Sequence, residues 1–496
     1  MAHPTDDILS AMRSPSMEDR AAIQRAYDFA QRAHGDEKRK SGEPYIVHPH
    51  AIALSLATLG MGRTTIIAGI LHDTTEDTET TLEEVDKEFG SEIAFLVDGL
   101  TKYSKLKYRG LERHVESLRR LFVATASDIR IIIIKLADRL HNMETLQYVE
   151  PIEKRERIAR DTMEVYVHIA ERLGIGNIKT QLEDLAFKIL NPKEFTEASR
   201  FVEQKQSELE TQLDEDIKDL KKFLAESGLK KFRTEYRFKS IYSFHKKLER
   251  KQGEIDQVYD LVALRLIVPN VDACYRALGV IHSFWRPIPG RVKDYIAFQK
   301  PNGYRSLHTT VITRRGVTME VQIRTEEMHQ EAQFGVASHF NYKTDNTNAA
   351  PVYWFLKLLP TLLKRPDTSG NPESPRWLKD LTDVQKDHVD FETFEEILKQ
   401  DFFAERMFVF TPKGDVIDLP VDATPVDFAY AIHSDIGNTM NGAKINGKLV
   451  SLDTPLSNGS VVEIMTKKNG APNKKWLELA KTASAKAHIR SALKKD

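Results

Sequence analysis

The sequence predicts a multidomain chain: an all-α N-terminal domain, an α+β domain after it, and a small mixed β module towards the C-terminus. Three observations predict this. A chain of 496 residues is longer than one hydrophobic core organises. Apolar residues recur at helical spacing from about Asp19 to about Leu190. From Lys231 the texture changes to short β-branched runs broken by turn residues.

The elements follow in order. Ala26, Phe29, Ala30 and Ala33 fall on one helical face, as do Leu118, Leu121 and Phe122. The longest apolar stretch, Ile131 to Ile134, reads as a buried segment, because it is far too short to span a bilayer. Leu209, Leu213, Ile217, Leu220 and Leu224 share a face of a long amphipathic helix, with Ser227-Gly228 as its stop. This run is expected to connect two domains. LVALRLIVP, HTTVIT and VTMEVQIRT read as strands, the last two joined by a hairpin at Arg314-Arg315-Gly316. Near Arg406 the strands MFVFTP and DVIDLP flank Lys413-Gly414, a helical DFAYAIH follows, and Asn446-Gly447 marks a second hairpin. The expected division is 1–195, 196–230 as a connecting helix, 231–343, 344–405 as a linker with helical patches, 406–467, and 468–496 as a basic helical piece.

Composition narrows the function. A net charge of -1 excludes a polycation that coats nucleic acid, so any nucleotide or RNA site is a local basic patch. Cys274 is the only cysteine, which excludes an intrachain disulfide and a cysteine-rich zinc site and points to a reducing, cytoplasmic setting. The N-terminus has no apolar signal core.

The densest chemical cluster is His72-Asp73-Thr74-Thr75-Glu76-Asp77, with His48 upstream and Asp138 downstream. Two imidazoles and two carboxylates suit a divalent ion such as Mn²⁺ rather than a closed structural zinc site. On one helix, His72 and Glu76 would lie a turn apart, as would Asp73 and Asp77. Glu76 and Asp77 would then orient and deprotonate water. The bland reading is a solvated acidic face running through Glu79, Glu83 and Glu84. Arg39 and Lys40, just before His48, are candidates for holding phosphates, with Arg39 also able to stack on a base; an ordinary basic turn is the alternative.

A second constellation lies further on. The chain has no GxxxxGK[ST] loop. Instead Arg237, Lys239, Lys246, Lys247 and Lys251 crowd a short basic stretch that either lines a polyphosphate channel or is the polar face of a helix. Asp260 precedes one strand and Glu320 lies on another, a pair suited to Mg²⁺ and to accepting a hydroxyl proton, or two exposed strand residues. Tyr304 follows Pro301-Asn302-Gly303, a turn that presents its ring to a purine, and His308 is a candidate phosphate contact.

RKSGEPYIVHP, HDTTEDT and KLADRLHNM, in the order H…HD…D, resemble the HD phosphohydrolase superfamily and, more closely, the hydrolase domain of the long RelA/SpoT-homologue family. RFKSIYS, YDLVALR, GRVKDYI, PNGYRSLHT and EVQIRTEEMH resemble its synthetase domain. The resemblance implies an all-α HD-type domain, an α+β nucleotidyltransferase-like domain and a β-grasp-like TGS domain. It implies metal ligands at His48, His72, Asp73 and Asp138, a catalytic acidic pair at Glu76 and Asp77, and nucleotide contacts at Arg39, Lys40, Ser41 and Asn142. In the second domain it implies Mg²⁺ at Asp260 and Glu320, with Glu320 also activating a 3′-hydroxyl. ATP and phosphate contacts fall at Arg237, Lys239, Lys247, Arg265 and Lys293. Tyr304 stacks on guanine and His308 contacts phosphate. The implied activities are transfer of pyrophosphate from ATP to the 3′-OH of GDP or GTP, and hydrolysis of the resulting (p)ppGpp. Arg291-Val292-Lys293-Asp294 resembles the basic loop of bifunctional members.

VFTPKGDVIDLP, ATPVDFAYAIH and GAKINGKLVSLDTPLSNGSVVEIMT resemble a TGS domain, which in long members senses deacylated tRNA on the ribosome. His433 matches a histidine implicated in reading the tRNA 3′ end; a buried histidine closing a helix is the alternative. The chain stops where long members continue, so it reads as C-terminally shortened. Two other functions were weighed. An HD nucleotidase with a nucleotide-sensing second domain is disfavoured by the pair Asp260 and Glu320. A ribosome or tRNA adaptor with relic catalytic domains is disfavoured by the full H…HD…D set.

Overall fold

The computed structural model describes residues 3–12, 14–101, 128–250, 261–300, 303–335, 337, 406–467 and 470–493. Leu118, Leu121, Phe122, Asp260, Pro301-Asn302 and the expected linker at 344–405 lie outside them. No described helix is long and apolar enough to cross a membrane.

The N-terminal part is helical: α1 (Asp6–Ala11), α2 (Met17–His34), α3 (Val47–Thr58), α4 (Arg63–Leu71), α5 (Thr74–Asp77), α6 (Leu82–Phe89), α7 (Ser91–Thr101), α8 (Ile129–Glu144), α9 (Ile152–Asp161), α10 (Val167–Arg172), α11 (Gly176–Leu190) and α12 (Pro192–Glu226). Helix α4 is buried on every side from Thr65 to Leu71, as expected of a helix that is apolar all round. Ile131 to Ile134 on α8 are at most 1% exposed, so the apolar run is a core helix. Each such side chain contributes about 2 kcal/mol of burial. Gly99 lets α7 approach α8: a Cβ there would lie 2.5 Å from Ile131 Cδ1. Between α9 and α10 a π-helical turn (Thr162–Tyr166) sets the Tyr166 ring under Arg139, whose guanidinium is 4.1 Å from the ring centroid.

The second part has β1 (Arg233–Phe238), α13 (Ile241–Arg250), β2 (Val262–Val268), α14 (Val271–Phe284), β3 (Arg286–Pro287), β4 (Lys293–Asp294), β5 (Leu307–Ile312), β6 (Thr318–Thr325) and α15 (Glu326–Phe334). The sheet runs β1-β2-β6-β5-β3, with β4 also paired to β5. Only β2 and β6 run parallel. The expected hairpin joins β5 to β6, and Gly316 takes φ +83° in its turn.

The long helix is more than a connector. Leu213, Ile217, Leu220 and Leu224 are buried in the same core as Leu264, Val311 and Val321 of the sheet. Its C-terminal half is therefore part of the α+β core, which corrects the expected 196–230 connecting segment. Arg315 in the β5–β6 turn fastens the sheet to it, reaching Glu215 (2.9 Å), Asp216 (2.8 Å) and Asp219 (3.0 Å). Upstream, α11 backs α13. Asp184 accepts a hydrogen bond from the Tyr242 amide at 2.9 Å, at the start of α13. Phe187 packs 5.4 Å from the Tyr242 ring and 4.7 Å from that of His245.

The C-terminal module forms a separate compact unit. Strands β7 (Arg406–Phe410) and β8 (Val416–Pro420) form a hairpin, and β9 (Met440–Ile445), β10 (Lys448–Val450) and β11 (Val462–Thr466) form a three-stranded sheet, order β10-β9-β11. Helices α16 (Pro425–Ile432) and α17 (Ser434–Thr439) cross between them, with Phe428 fully buried among Val409, Leu419 and Val462. Asn446 and Gly447 both have positive φ, as the predicted tight hairpin requires. The C-terminal piece is two helices, α18 (Trp476–Leu479) and α19 (Ala483–Leu493). Asp427 accepts hydrogen bonds from the amides of Lys481 and Thr482 between them.

Gly335, φ +51°, follows α15, and a Cβ there would lie 2.1 Å from the Leu173 carbonyl oxygen after α10. Gly335→Ala should destabilise the chain by about 3 kcal/mol, from backbone overlap plus the positive φ. Urea unfolding should show a lowered midpoint; a wild-type midpoint would refute this close contact.

Candidate active sites

The first site is assembled from α3, the α4–α5 junction and α8. His48 lies in the first turn of α3 and Asp138 on α8. The doublet does not sit on one continuous helix, as had been expected. Helix α4 ends at Leu71, and His72 and Asp73 form a turn before the four-residue α5. The break swings Asp73 towards both imidazoles: its oxygens lie 2.9 Å from His72 Nε2 and 3.5 Å from His48 Nε2. His48 Nε2 is 3.4 Å from Asp138 Oδ1. One ligand atom from each of His48, His72 and Asp138, all buried, lies within 4.8 Å of the others.

The donor set fits a divalent ion. His72 Nδ1 donates to the Gly69 carbonyl at 2.9 Å, which leaves Nε2 as a lone pair. That buried nitrogen makes no well-aligned hydrogen bond, although Asp73 Oδ1 lies 2.9 Å away. Lys135 Nζ donates to Asp138 Oδ2 at 2.6 Å, and the Asn142 amide donates to Oδ1. Burial opposes ionisation of Asp73 and Asp138. The His72 ring beside Asp73 and Lys135 beside Asp138 nevertheless hold both carboxyls well below the usual carboxylate range. Tyr45 OH donates to Asp73 (2.8 Å) and to Asp77 (2.9 Å). Partial burial, with Asp73 close by, raises the Asp77 carboxyl despite that hydrogen bond. Glu76 is half-buried on the same short helix.

Next to this cluster is a cavity of about 380 Å³ lined by Arg39, Lys40, Ser41, Asp138 and Asn142. All four predicted nucleotide contacts therefore face one space. A tight turn presents the first three: Lys38 bridges Pro44, Gly42 takes φ +88°, and its amide donates to the Arg39 carbonyl at 2.9 Å. Arg39 donates to Asn142 Oδ1 (2.8 Å) and to His141 Nδ1 (3.1 Å). Lys38, Lys135, Arg139 and Lys154 add positive charge to the lining, and Leu146, Val149 and Ile158 an apolar wall.

The second site lies on one face of the α+β sheet, and strand register builds it. Arg237, Ala263, Glu320 and Thr310 pair in one row across β1, β2, β6 and β5. Arg265, Gln322, His308 and Lys293 form the next. Lys239 follows β1, and Lys247 lies on α13. Burial, with neighbouring positive charge, lowers the Arg237 and Lys239 groups, takes Arg265 down to about 10 and takes Lys247, which contacts Lys239, down to about 7. Cations whose charge is opposed in this way are poised for a polyanion.

Glu320 is held among them. Burial pushes its carboxyl up, but His308, Gln322 and Lys239 outweigh this and take it to about 2. His308 Nδ1 donates to Glu320 at 2.8 Å, and Tyr304 OH donates to His308 Nε2 at 2.7 Å. His308, expected at a phosphate, thus has both ring nitrogens engaged. Tyr304 has Lys300 Nζ 5.3 Å and the Arg324 guanidinium 5.6 Å from its ring centroid.

Sequence reading gave no role to Tyr45, Lys135, His141, Gln322 or Arg324. A signal existed for most of them. Lys135, Asp138 and His141 are spaced three apart on α8, and Glu320, Gln322 and Arg324 alternate along β6. Nothing local marked Tyr45, whose partners are 28 and 32 residues away. In the C-terminal module, His433 is half-buried between α16 and α17. It accepts from the Asp435 amide at 3.1 Å, capping α17.

A helical domain with a clustered H…HD…D set, an α+β nucleotidyltransferase-like domain and a β-grasp TGS module define the class: an HD-type multidomain protein. Family models agree in order and position: HD domain over residues 26–176, the region found in RelA / SpoT proteins over 236–347, and TGS domain over 407–466. The chain belongs to the RelA/SpoT family. It is 45% identical over 479 residues to the guanosine-3′,5′-bis(diphosphate) 3′-pyrophosphohydrolase of Aquifex aeolicus, covering 95% of this chain and 64% of that protein. It is 44% identical over 476 residues to the GTP pyrophosphokinase of Myxococcus xanthus (95% and 60%). It is 41% identical over 473 residues to the bifunctional (p)ppGpp synthase/hydrolase SpoT of Escherichia coli (95% and 64%). The chain thus spans about three fifths of the length of these curated relatives.

His72→Ala should weaken divalent-ion binding, probed with Mn²⁺, at least about tenfold, since a buried candidate ligand nitrogen is lost. Titration by electron paramagnetic resonance measures this, and unchanged affinity would remove His72 from the ligand set. Lys247 yields a pH prediction. A bound polyanion raises an ammonium that sits near 7 when free, so affinity for inorganic tripolyphosphate should be greatest below pH 7 and fall as pH rises towards the bound-state value. Calorimetry at pH 8 in two buffers should show proton uptake on binding that disappears in Lys247→Met; equal uptake in both proteins would contradict it.

Proposed function

We propose that the chain both makes and destroys a 3′-pyrophosphorylated guanine nucleotide: it transfers pyrophosphate from ATP to the 3′-OH of GDP or GTP, and it hydrolyses (p)ppGpp to GDP or GTP plus pyrophosphate. The observation that carries the reading is the placement of His48, His72 and Asp138 beside a cavity lined by Arg39, Lys40, Ser41 and Asn142. The names of the relatives, one a pyrophosphohydrolase, one a pyrophosphokinase and one bifunctional, support it.

At the first site we assign Mn²⁺ to His48, His72, Asp73 and Asp138; when bound it supplies positive charge to a phosphoryl oxygen and acidifies water. Arg39 and Lys40 hold phosphate, and Ser41 and Asn142 orient the nucleotide. Glu76 and Asp77 take the proton from the attacking water, and Tyr45 steadies Asp77 by its hydrogen bond. The bond between phosphorus and the 3′-oxygen breaks, and that oxygen leaves protonated.

At the second site the 3′-oxygen attacks the β-phosphorus of ATP, and the bond to the bridging α,β-oxygen breaks, releasing AMP. Arg237, Lys239, Lys247, Arg265 and Lys293 neutralise the polyphosphate, Tyr304 stacks on guanine, and Glu320 accepts the hydroxyl proton. His308 orients Glu320 and Tyr304, and contacts phosphate only after its Tyr304 bond opens. Asp260 and Glu320 would hold Mg²⁺, which screens the phosphate charge. Phosphates arriving beside the cations that depress Glu320 restore its basicity. Deacylated tRNA on the ribosome is the partner assigned to the TGS module, with His433 facing it. The working division is 1–195 for hydrolysis and 231–343 for synthesis, the latter with the C-terminal half of α12.

The two reactions are expected to separate cleanly. Glu320→Gln or Asp260→Ala should lower synthesis by at least about 100-fold and leave (p)ppGpp hydrolysis intact; Asp73→Ala should do the reverse. Both rates are measured on each purified, folded variant. Loss of both activities in any one of them would defeat the two-site reading.

A further inference from the structure

We infer that His141 is a positioning residue for the hydrolase centre: its Nδ1 fixes the tautomer of the metal ligand His48 and couples that ligand to Arg39 on the nucleotide cavity. This rests on the assignment of His48 as a ligand under the proposed function. His141 lies on α8 three residues beyond Asp138 and is 9% exposed. Its Nδ1 is 3.1 Å from Arg39 Nη1 and 2.8 Å from His48 Nδ1. A guanidinium nitrogen only donates, so Nδ1 of His141 is an acceptor. The proton in the contact between the two imidazoles therefore belongs to His48 Nδ1. Nε2 of His48, on the far side of the ring, faces Asp73 and Asp138 at 3.5 and 3.4 Å. An imidazole that gives Nε2 to an ion keeps its proton on Nδ1, and that proton needs an acceptor. His72 meets the same need with the Gly69 carbonyl. His48 meets it with a second histidine.

The choice of an imidazole has a consequence that a carbonyl would not. The same lone pair serves Arg39, whose other terminal nitrogen donates to Asn142 Oδ1 at 2.8 Å, while the Asn142 amide donates to Asp138. His48, His141, Arg39, Asn142 and Asp138 thus close a ring that begins and ends on proposed metal ligands and passes through two residues lining the cavity. His141 is the member of that ring with no contact to ion or nucleotide in the proposed function. Its effect passes through His48 and Arg39.

The test compares His141→Leu with His141→Asn. An asparagine oxygen Oδ1 sits near the place of Nδ1 and can accept; leucine fills the space without an acceptor. Mn²⁺ dissociation constants are measured by electron paramagnetic resonance of the free ion. Synthesis from ATP and GDP, run on separate residues, confirms that each variant is folded. His141→Leu should weaken Mn²⁺ binding by about 10–100-fold, the usual effect of losing a partner behind a ligand histidine. His141→Asn should recover most of the loss. Arg39→Ala should raise KM for (p)ppGpp and weaken Mn²⁺ binding less than His141→Leu does, because His141 remains to accept from His48. Equal losses in the Leu and Asn variants, or no loss in either, would overturn the proposal. Should His48→Ala bind Mn²⁺ as tightly as the wild type, the ligand assignment beneath it fails instead.

Discussion

The first site depends on a helix whose two halves occupy different media. Ile131 to Ile134 fix α8 in the core, and any rotation about its axis would bring isoleucines to water. The polar half, from Lys135 to Asn142, has to follow. It carries Asp138 into a region where an isolated carboxylate would cost several kcal/mol, and supplies the compensation from its own turns, with Lys135 one turn before and Asn142 one turn after. The carboxylate is thus charged, immobile and aimed before any ligand arrives. The apolar half of the helix is what makes the polar half accurate.

The two sites solve opposite electrostatic problems. The first gathers carboxylates and imidazoles around a point that calls for a cation, with most of the basic residues set back along the cavity. The second gathers guanidinium and ammonium groups around one carboxylate, at a cost visible in the lowered Arg237, Arg265 and Lys247 groups. Strain of this kind is relieved when phosphate enters, so binding energy is concentrated on the charged part of the nucleotide. The sites are built by different means. Turns and helix ends build the first, where a broken helix brings Asp73 round to His72. Register builds the second, where two rows of paired residues put five of the functional side chains on one face.

How far the sequence could be read followed the range of the interactions. Helical spacing gave α12, and turn chemistry at Arg314-Arg315-Gly316 and Asn446-Gly447 gave both hairpins, because those signals are local. Motif order pointed to His48, His72, Asp73 and Asp138 as one set, and the fold brings ligand atoms of His48, His72 and Asp138 together. The break at His72-Asp73 was not legible: no Gly or Pro interrupts HDTTEDT, and the turn is set by the surrounding helices. The leucine stripe of α12 was seen, but a stripe does not name its partner, and the sheet core that covers it lies up to a hundred residues later. Tyr45 and the double engagement of His308 depend on partners brought near only by the fold.

The hydrogen bond from the Tyr242 amide to Asp184 bears on how the molecule can be divided. Asp184 belongs to α11, among residues that sequence motifs would assign to the hydrolase, yet it closes the first turn of α13, the helix that carries Lys247. Phe187 packs on that helix as well, and Leu213 to Leu224 of α12 are already part of the sheet core. The segment that folds as the α+β domain therefore starts upstream of that domain's first motif. Cut at residue 231, the piece would lose a cap, an aromatic brace and one wall of its core together. A cut before α11 keeps the cap and the brace but parts that helix from α9 and α10, against which it also packs, so the two domains share α11 and no cut beside it is free of cost.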